Sequence, residues 1–148
     1  MLLKKTCAFV FAMVLLFSFS TSSFAASTVN CSDPEVGVAC QGVTMVWGDK
    51  VASSLLLDVP AGATIYYGLS TTSNSMYQMG ALVEQYVNGK LVEVPDTLIL
   101  AAGEGGTNGD YFTISSAGRY RVKLRSGDSL HGRSEGYAYI QYYYEPQK

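Results

Sequence analysis

Four cations recur at every second position from 119 to 125, as Arg119, Arg121, Lys123 and Arg125, with Tyr120, Val122 and Leu124 between them. That alternation is the pattern of a strand with one wet face and one buried face. A second stretch, near the end of the chain, reads Tyr137-Ala138-Tyr139-Ile140-Gln141-Tyr142-Tyr143-Tyr144. Ala138 and Ile140 set its buried phase, which leaves Tyr137, Tyr139, Gln141 and Tyr143 outside. Paired as a hairpin, the two strands put a ladder of cations, spaced about 6.8 Å apart, beside a row of tyrosines. Such a surface suits an extended anionic polymer, because charge attracts the chain while rings stack on its sugars. It is also stable without a ligand. Arginine planes resting on tyrosine rings gain roughly 0.5–1 kcal/mol each at exposed sites, which offsets the repulsion along the ladder.

Other chemistry has fewer parts to work with. Asp128-Ser129-Leu130-His131 holds the three residue types of a hydrolytic triad, and His131 is the one histidine in the chain. Three groups within four positions of a loop rarely converge, since triads are assembled across a fold. Glu84 and Glu93 are the best carboxylate pair for acid chemistry. They flank Asn88-Gly89, and if Val87 faces Lys90, Glu84 falls directly opposite Glu93. Like charges so placed repel; the pair could share a cation or be bridged by water, and the favoured outcome is that both splay into solvent. Glu104, Asn108 and Asp110, in a glycine-rich segment from Gly103 to Asp110, are oxygen donors, but two carboxylates leave most of the six to eight ligands of a calcium ion unfilled. A strand follows that segment, so it lacks the helix that a phosphate cradle requires. No cofactor and no metal site is expected, and no enzyme activity.

The elements that must position these residues belong to an exported chain. Lys4 and Lys5, an apolar run from Ala8 to Phe19 and small residues at Ser23 and Ala25 form a secretory leader with cleavage after Ala25. The apolar run is too short to cross a bilayer, where about twenty residues are needed, and no later segment is transmembrane. Residues 26–148 then make one domain, secreted and extracellular, and the leader's pattern is bacterial in style. They carry eight cations against twelve acids. That net acidity argues against nucleic acid as a partner. The distribution is uneven: six of the eight cations lie at or beyond Arg119. Cys31 and Cys40, the two cysteines left after leader removal, read as a disulfide closing an N-terminal loop. Asp33-Pro34 supplies its turn.

Short β-rich runs separated by turn residues fill the rest. Strands are expected at 43–47, 51–59, 64–69, 81–87, 90–94, 97–101, 111–114, 119–125 and 137–144, with the segment 76–80 undecided. Asn88-Gly89 marks a type I′ hairpin. No helical period appears outside the leader. This is an all-β pattern: a two-layer antiparallel β-sandwich, jelly-roll or immunoglobulin-like, with a closed barrel as runner-up.

The functional expectation is a secreted, non-enzymatic β-sandwich that associates with a cell surface or extracellular matrix. Arg119, Arg121, Lys123, Arg125, Tyr137, Tyr139 and Tyr143 are its binding residues, and an anionic polysaccharide, cell-wall polymer or other glycan is its ligand. The alternatives are a hydrolase using Glu84 and Glu93, and a protein-binding inhibitor or effector using edge strands and the polar segment Ser70 to Ser75.

Overall fold

The computed structural model describes residues 31–147, so the leader read at residues 1–25 lies outside the described part. Ten strands follow one another there: β1 (Val38–Met45), β2 (Val51–Ser53), β3 (Leu57–Val59), β4 (Thr64–Thr71), β5 (Met79–Val87), β6 (Lys90–Glu93), β7 (Ile99–Ala101), β8 (Thr107–Thr113), β9 (Gly118–Ser126) and β10 (Gly136–Tyr143). They form two antiparallel sheets. The first has the order β1-β10-β4-β8, the second β2-β9-β5-β6, with β3 also on β9 and β7 also on β5. This interleaved order is that of a jelly roll. The two sheets are separate, which sets aside the closed barrel.

Alternation builds the core. Tyr120, Val122 and Leu124 of β9 and Ala138 and Ile140 of β10 point inward, each no more than 4% exposed. They meet Met45, Ile65, Tyr67, Met79 and Val83 from the neighbouring strands in one cluster. Tyr67, Phe112 and Tyr120 link the layers edge to face, with ring centroids 6.1 and 6.2 Å apart. Burial, helped by the charge of Asp110, pushes the Tyr67 hydroxyl up to about 12, so this ring stays neutral at any ordinary pH.

Most expected strands are present, and the departures have local causes. The run 51–59 is two strands, because residues 54–56 oppose only Arg121 and Val122 and form a bulge. Ser54 holds it together: its N–H donates to the Val122 carbonyl, and its hydroxyl accepts from the Val122 N–H. Residues 97–98 are not strand. There the buried Thr97 hydroxyl accepts from the Val83 N–H and donates to the Val94 carbonyl, bridging the step from β6 to β7. The undecided segment enters β5 at Met79, and β8 begins at Thr107, so Asn108 and Asp110 are strand residues rather than loop.

The hairpin at residues 88–89 is as expected. Asn88 and Gly89 have φ of 50° and 79°, the left-handed pair of a type I′ turn, and Glu84 pairs with Glu93. The other hairpin is corrected. β9 and β10 do not pair: they lie in different sheets and face each other across the core. From β7 onward each successive strand changes sheet, so the connection at residues 127–135 crosses the end of the sandwich instead of turning back within one layer.

Replacing Ile140 by alanine removes a side chain buried between the sheets and should cost about 3 kcal/mol of unfolding free energy. The same change at Val92, half exposed on the β6 edge, should stay within about 0.5 kcal/mol. Chemical denaturation of both variants checks the contrast.

Candidate functional site

Because β9 and β10 sit in opposite layers, the cations and the tyrosines named above occupy opposite outer faces of the sandwich. Arg119, Arg121, Lys123 and Arg125 project from the second sheet, and Tyr137, Tyr139 and Tyr143 from the first. The fold brings together each set but not the two sets.

On the second sheet every member of the cation ladder has a carboxylate. Register is the reason: β9 runs between β3 and β5, pairing Arg119 with Asp58 and Arg121 with Glu84. Arg119 meets Asp58 at 3.2 Å and rests over the Tyr86 ring at 5.3 Å. Arg121 and Lys123 grip the two oxygens of Glu84 at 2.7 and 3.0 Å. Arg125 pairs with Glu93.

Glu84 therefore does not splay into solvent as its register with Glu93 implied. It is 4% exposed. Burial alone pushes its carboxyl up, but hydrogen bonds from Lys123 and Arg121 outweigh that and hold it below the ordinary value of 4.5. A general acid needs the opposite shift, so Glu84 is fitted to be a permanent anion in a structural network.

The loop after β9 is equally committed. Asp128 accepts the N–H groups of Leu130 and His131 and the Arg133 guanidinium at 2.6 Å. Its carboxyl is held down to about 2, chiefly by that Arg133 hydrogen bond acting against burial. Its nearer oxygen is 3.7 Å from His131 Nδ1, while Ser129 is exposed. The carboxylate organises a turn. In the glycine-rich segment, the Asn108 amide donates to the Leu100 carbonyl and the Asp110 carboxylate accepts from the Tyr111 N–H. The polar segment Ser70 to Ser75 is pinned too: Ser75 is fully buried and its hydroxyl accepts from the Glu135 N–H.

The outer face of the first sheet has a different character. Its outward positions form four rows across β1, β10, β4 and β8. The first is Thr44, Tyr137, Ser70, Thr107, and the second Gly42, Tyr139, Gly68, Gly109. The third is Cys40, Gln141, Tyr66, Tyr111, and the fourth is made of two pairs, Val38 with Tyr143 and Thr64 with Thr113. No aspartate, glutamate, lysine, arginine or histidine stands among them. Tyr66 and Tyr111, which strand-by-strand reading did not single out, join the other tyrosines only through the pairing of β4 with β8 and β10.

Glycines let these rings lie down. A Cβ at Gly68 would stand 2.9 Å from the Tyr139 ring, and one at Gly42 would fall inside the space of the Tyr137 ring. Both rings thus cover bare backbone, the arrangement by which an aromatic side chain shields a strand glycine. The Tyr137 hydroxyl accepts from the Cys31 N–H at 3.3 Å. Cys31 is bonded to Cys40, so the disulfide expected from the sequence ties the N-terminal loop to the edge of this face. Burial and the neighbouring Tyr143 raise the Tyr139 pKa, which keeps its hydroxyl neutral. Tyr66 meets Tyr111 with centroids 5.7 Å apart and Tyr143 edge-on at 5.5 Å. The surface offers hydroxyls and ring faces without charge.

No family model matches the chain. No curated protein sequence matches it either. Among solved structures it is similar to the Yersinia pseudotuberculosis-derived mitogen, at 14% identity and a TM-score of 0.44 over 75% of this chain and 89% of that one. It is similar also to PliG of Aeromonas hydrophila, a periplasmic inhibitor of g-type lysozyme, at 14% identity and TM-score 0.42 over 72% and 85%. A third is a carbohydrate-binding module of Cellvibrio mixtus lichenase 5A in complex with cellotriose, at 9% identity and TM-score 0.40 over 80% and 96%. At these values none of the three carries a site or an activity across to this chain.

Glu84→Ala leaves Arg121 and Lys123 beside each other without their anion and should cost about 3 kcal/mol. The wild-type ion pairs also make the fold acid-sensitive. Glu84 and Asp128 have folded pKa values depressed below 4.5 and 3.8, so their contribution is complete above those values and is lost as pH falls through the folded ones. Thermal melts should be insensitive to these two groups down to about pH 5 and then fall toward about pH 2. Glu84→Gln should flatten the upper part of that decline.

Proposed function

We propose that this protein is a secreted, non-enzymatic binding domain that holds a glycan on the tyrosine face of its first sheet. The observation that carries the reading is that face itself, uncharged at every outward position, with the Tyr137 and Tyr139 rings over Gly42 and Gly68. A flat ring is the apolar platform on which a sugar ring stacks, and neighbouring hydroxyls of Thr44, Ser70 and Thr107 offer both donors and acceptors to its rim. Secretion is supported by the N-terminal leader pattern and by the Cys31–Cys40 disulfide, which belongs to an oxidising compartment.

An anionic polymer on Arg119, Arg121, Lys123 and Arg125 draws less support. Each of these cations already has a carboxylate partner, so an incoming anion must displace Asp58, Glu84 or Glu93 rather than meet free charge. The carboxylate-dependent hydrolase draws less still, because both oxygens of Glu84 are occupied and its pKa shift has the wrong sign for a proton donor.

The reading is tested by retention of the purified protein on insoluble cellulose, chitin and xylan, with alginate and DNA as anionic controls, each at low and high salt. Tyr139→Ala should reduce retention on the uncharged material about tenfold, the equivalent of 1.4 kcal/mol, at either salt concentration. Gly68→Ala, which lifts the Tyr139 ring without removing it, should weaken retention in the same direction. Arg119→Glu with Arg125→Glu, both exposed, should leave it unchanged. Retention confined to alginate or DNA, abolished by salt and by the arginine pair but untouched by Tyr139→Ala, sinks the reading.

A further inference from the structure

The distribution of rings on this face carries more than the presence of a platform. Every row across the sheet holds at least one tyrosine: Tyr137 in the first, Tyr139 in the second, Tyr66 with Tyr111 in the third, Tyr143 in the fourth. Successive rows are two residues apart, so the series from Tyr137 to Tyr143 extends about 20 Å along β10. Across the sheet the first two rows hold one ring each, whereas in the third Tyr66 and Tyr111 lie side by side. In the second row Tyr139 is flanked by Gly42, Gly68 and Gly109, and in the first Tyr137 has only Thr44, Ser70 and Thr107 for neighbours. Tyr143, Tyr66 and Tyr111 touch across the strands, but only the strand direction takes a ligand past the rings at every level from Tyr137 to Tyr143.

The charge of the ligand follows from what the face lacks. A carboxylate or sulfate laid on it would give up water without gaining a cation, a large penalty for an ionised group, and the acidic balance of the chain from Ala26 onward adds repulsion.

Resting on the glycan reading above, we infer that the tyrosine face binds several consecutive sugar rings of an extended, uncharged polysaccharide, lying lengthwise along β10 from Tyr137 to Tyr143. Tyr137 and Tyr139 form the floor on which a short saccharide rests. The cluster of Tyr66, Tyr111 and Tyr143 extends the contact for a longer one, its members joined by the close ring contacts already described. Chain length, rather than the identity of a terminal sugar, is then the main determinant of affinity.

The probes are cello-oligosaccharides and chito-oligosaccharides, from disaccharide to hexasaccharide, titrated calorimetrically into the purified protein. Affinity should rise about tenfold for each further tyrosine the saccharide reaches. Tyr143→Ala should lower hexasaccharide affinity about tenfold while leaving the disaccharide unchanged. Tyr139→Ala should weaken both. Tyr143 is 60% exposed, so its variant keeps the fold, and matching thermal melts verify this for both variants. An affinity that does not grow with length, or a Tyr143→Ala effect equal for short and long saccharides, overturns the lengthwise inference while leaving retention on insoluble glycan, and the glycan reading, intact. If neither oligosaccharide nor insoluble glycan binds, and the protein instead self-associates in a way that Tyr139→Ala abolishes, the face is an interface between copies of this chain and both conclusions fail.

Discussion

The feature on which the rest of the molecule depends is the packing of β9 against β10 across the core. Tyr120, Val122 and Leu124 on one strand and Ala138 and Ile140 on the other are almost wholly buried in the same cluster. Their side chains alternate with period two, so burying these residues forces every intervening one outward on its own side. Four cations go to one exterior and the tyrosines to the other. A single decision about which layer each strand joins thus separates a charged face from an uncharged one.

On the charged side the separation is stabilised by acids from three other strands. Glu84 is the centre of that arrangement, because β5 lies between β6 and β9 and its carboxylate is flanked on one side by Glu93 and on the other by Arg121 and Lys123. Two cations outweigh one neighbouring anion, and the side chain remains ionised although nearly inaccessible to water. A ladder that looks available in one strand is largely internal to the sheet once its neighbours are in place.

The uncharged side follows another logic. Tyrosine rings need room to lie down, and glycines at 42 and 68 provide it. Those glycines weaken strands on their own, since they have no side chain to pack, and the overlying rings compensate by covering the backbone. The disulfide loop contributes at the margin by presenting the Cys31 N–H to the Tyr137 hydroxyl. Rings over bare backbone, neutrality and a fixed edge are properties of the assembled sheet, and they are what distinguishes this face from an ordinary solvated one.

The sequence by itself determined what depends on near neighbours. The buried phases of β9 and β10, the type I′ turn at Asn88-Gly89, the Glu84–Glu93 register and the Cys31–Cys40 bond were all legible, since each is set by alternation, turn chemistry or a short loop. Tertiary structure decided everything that joins distant segments. The pairing of Glu84 with Arg121, the meeting of Tyr66 and Tyr111 with Tyr143, and the placing of β9 and β10 in different sheets bring together residues dozens of positions apart or send adjacent strands to opposite layers. Two adjacent strands with polar residues between them form a hairpin or a crossing with equal ease. Which one occurs is settled by where both inward rows of side chains can be buried at once, a property of the whole sandwich and not of either strand.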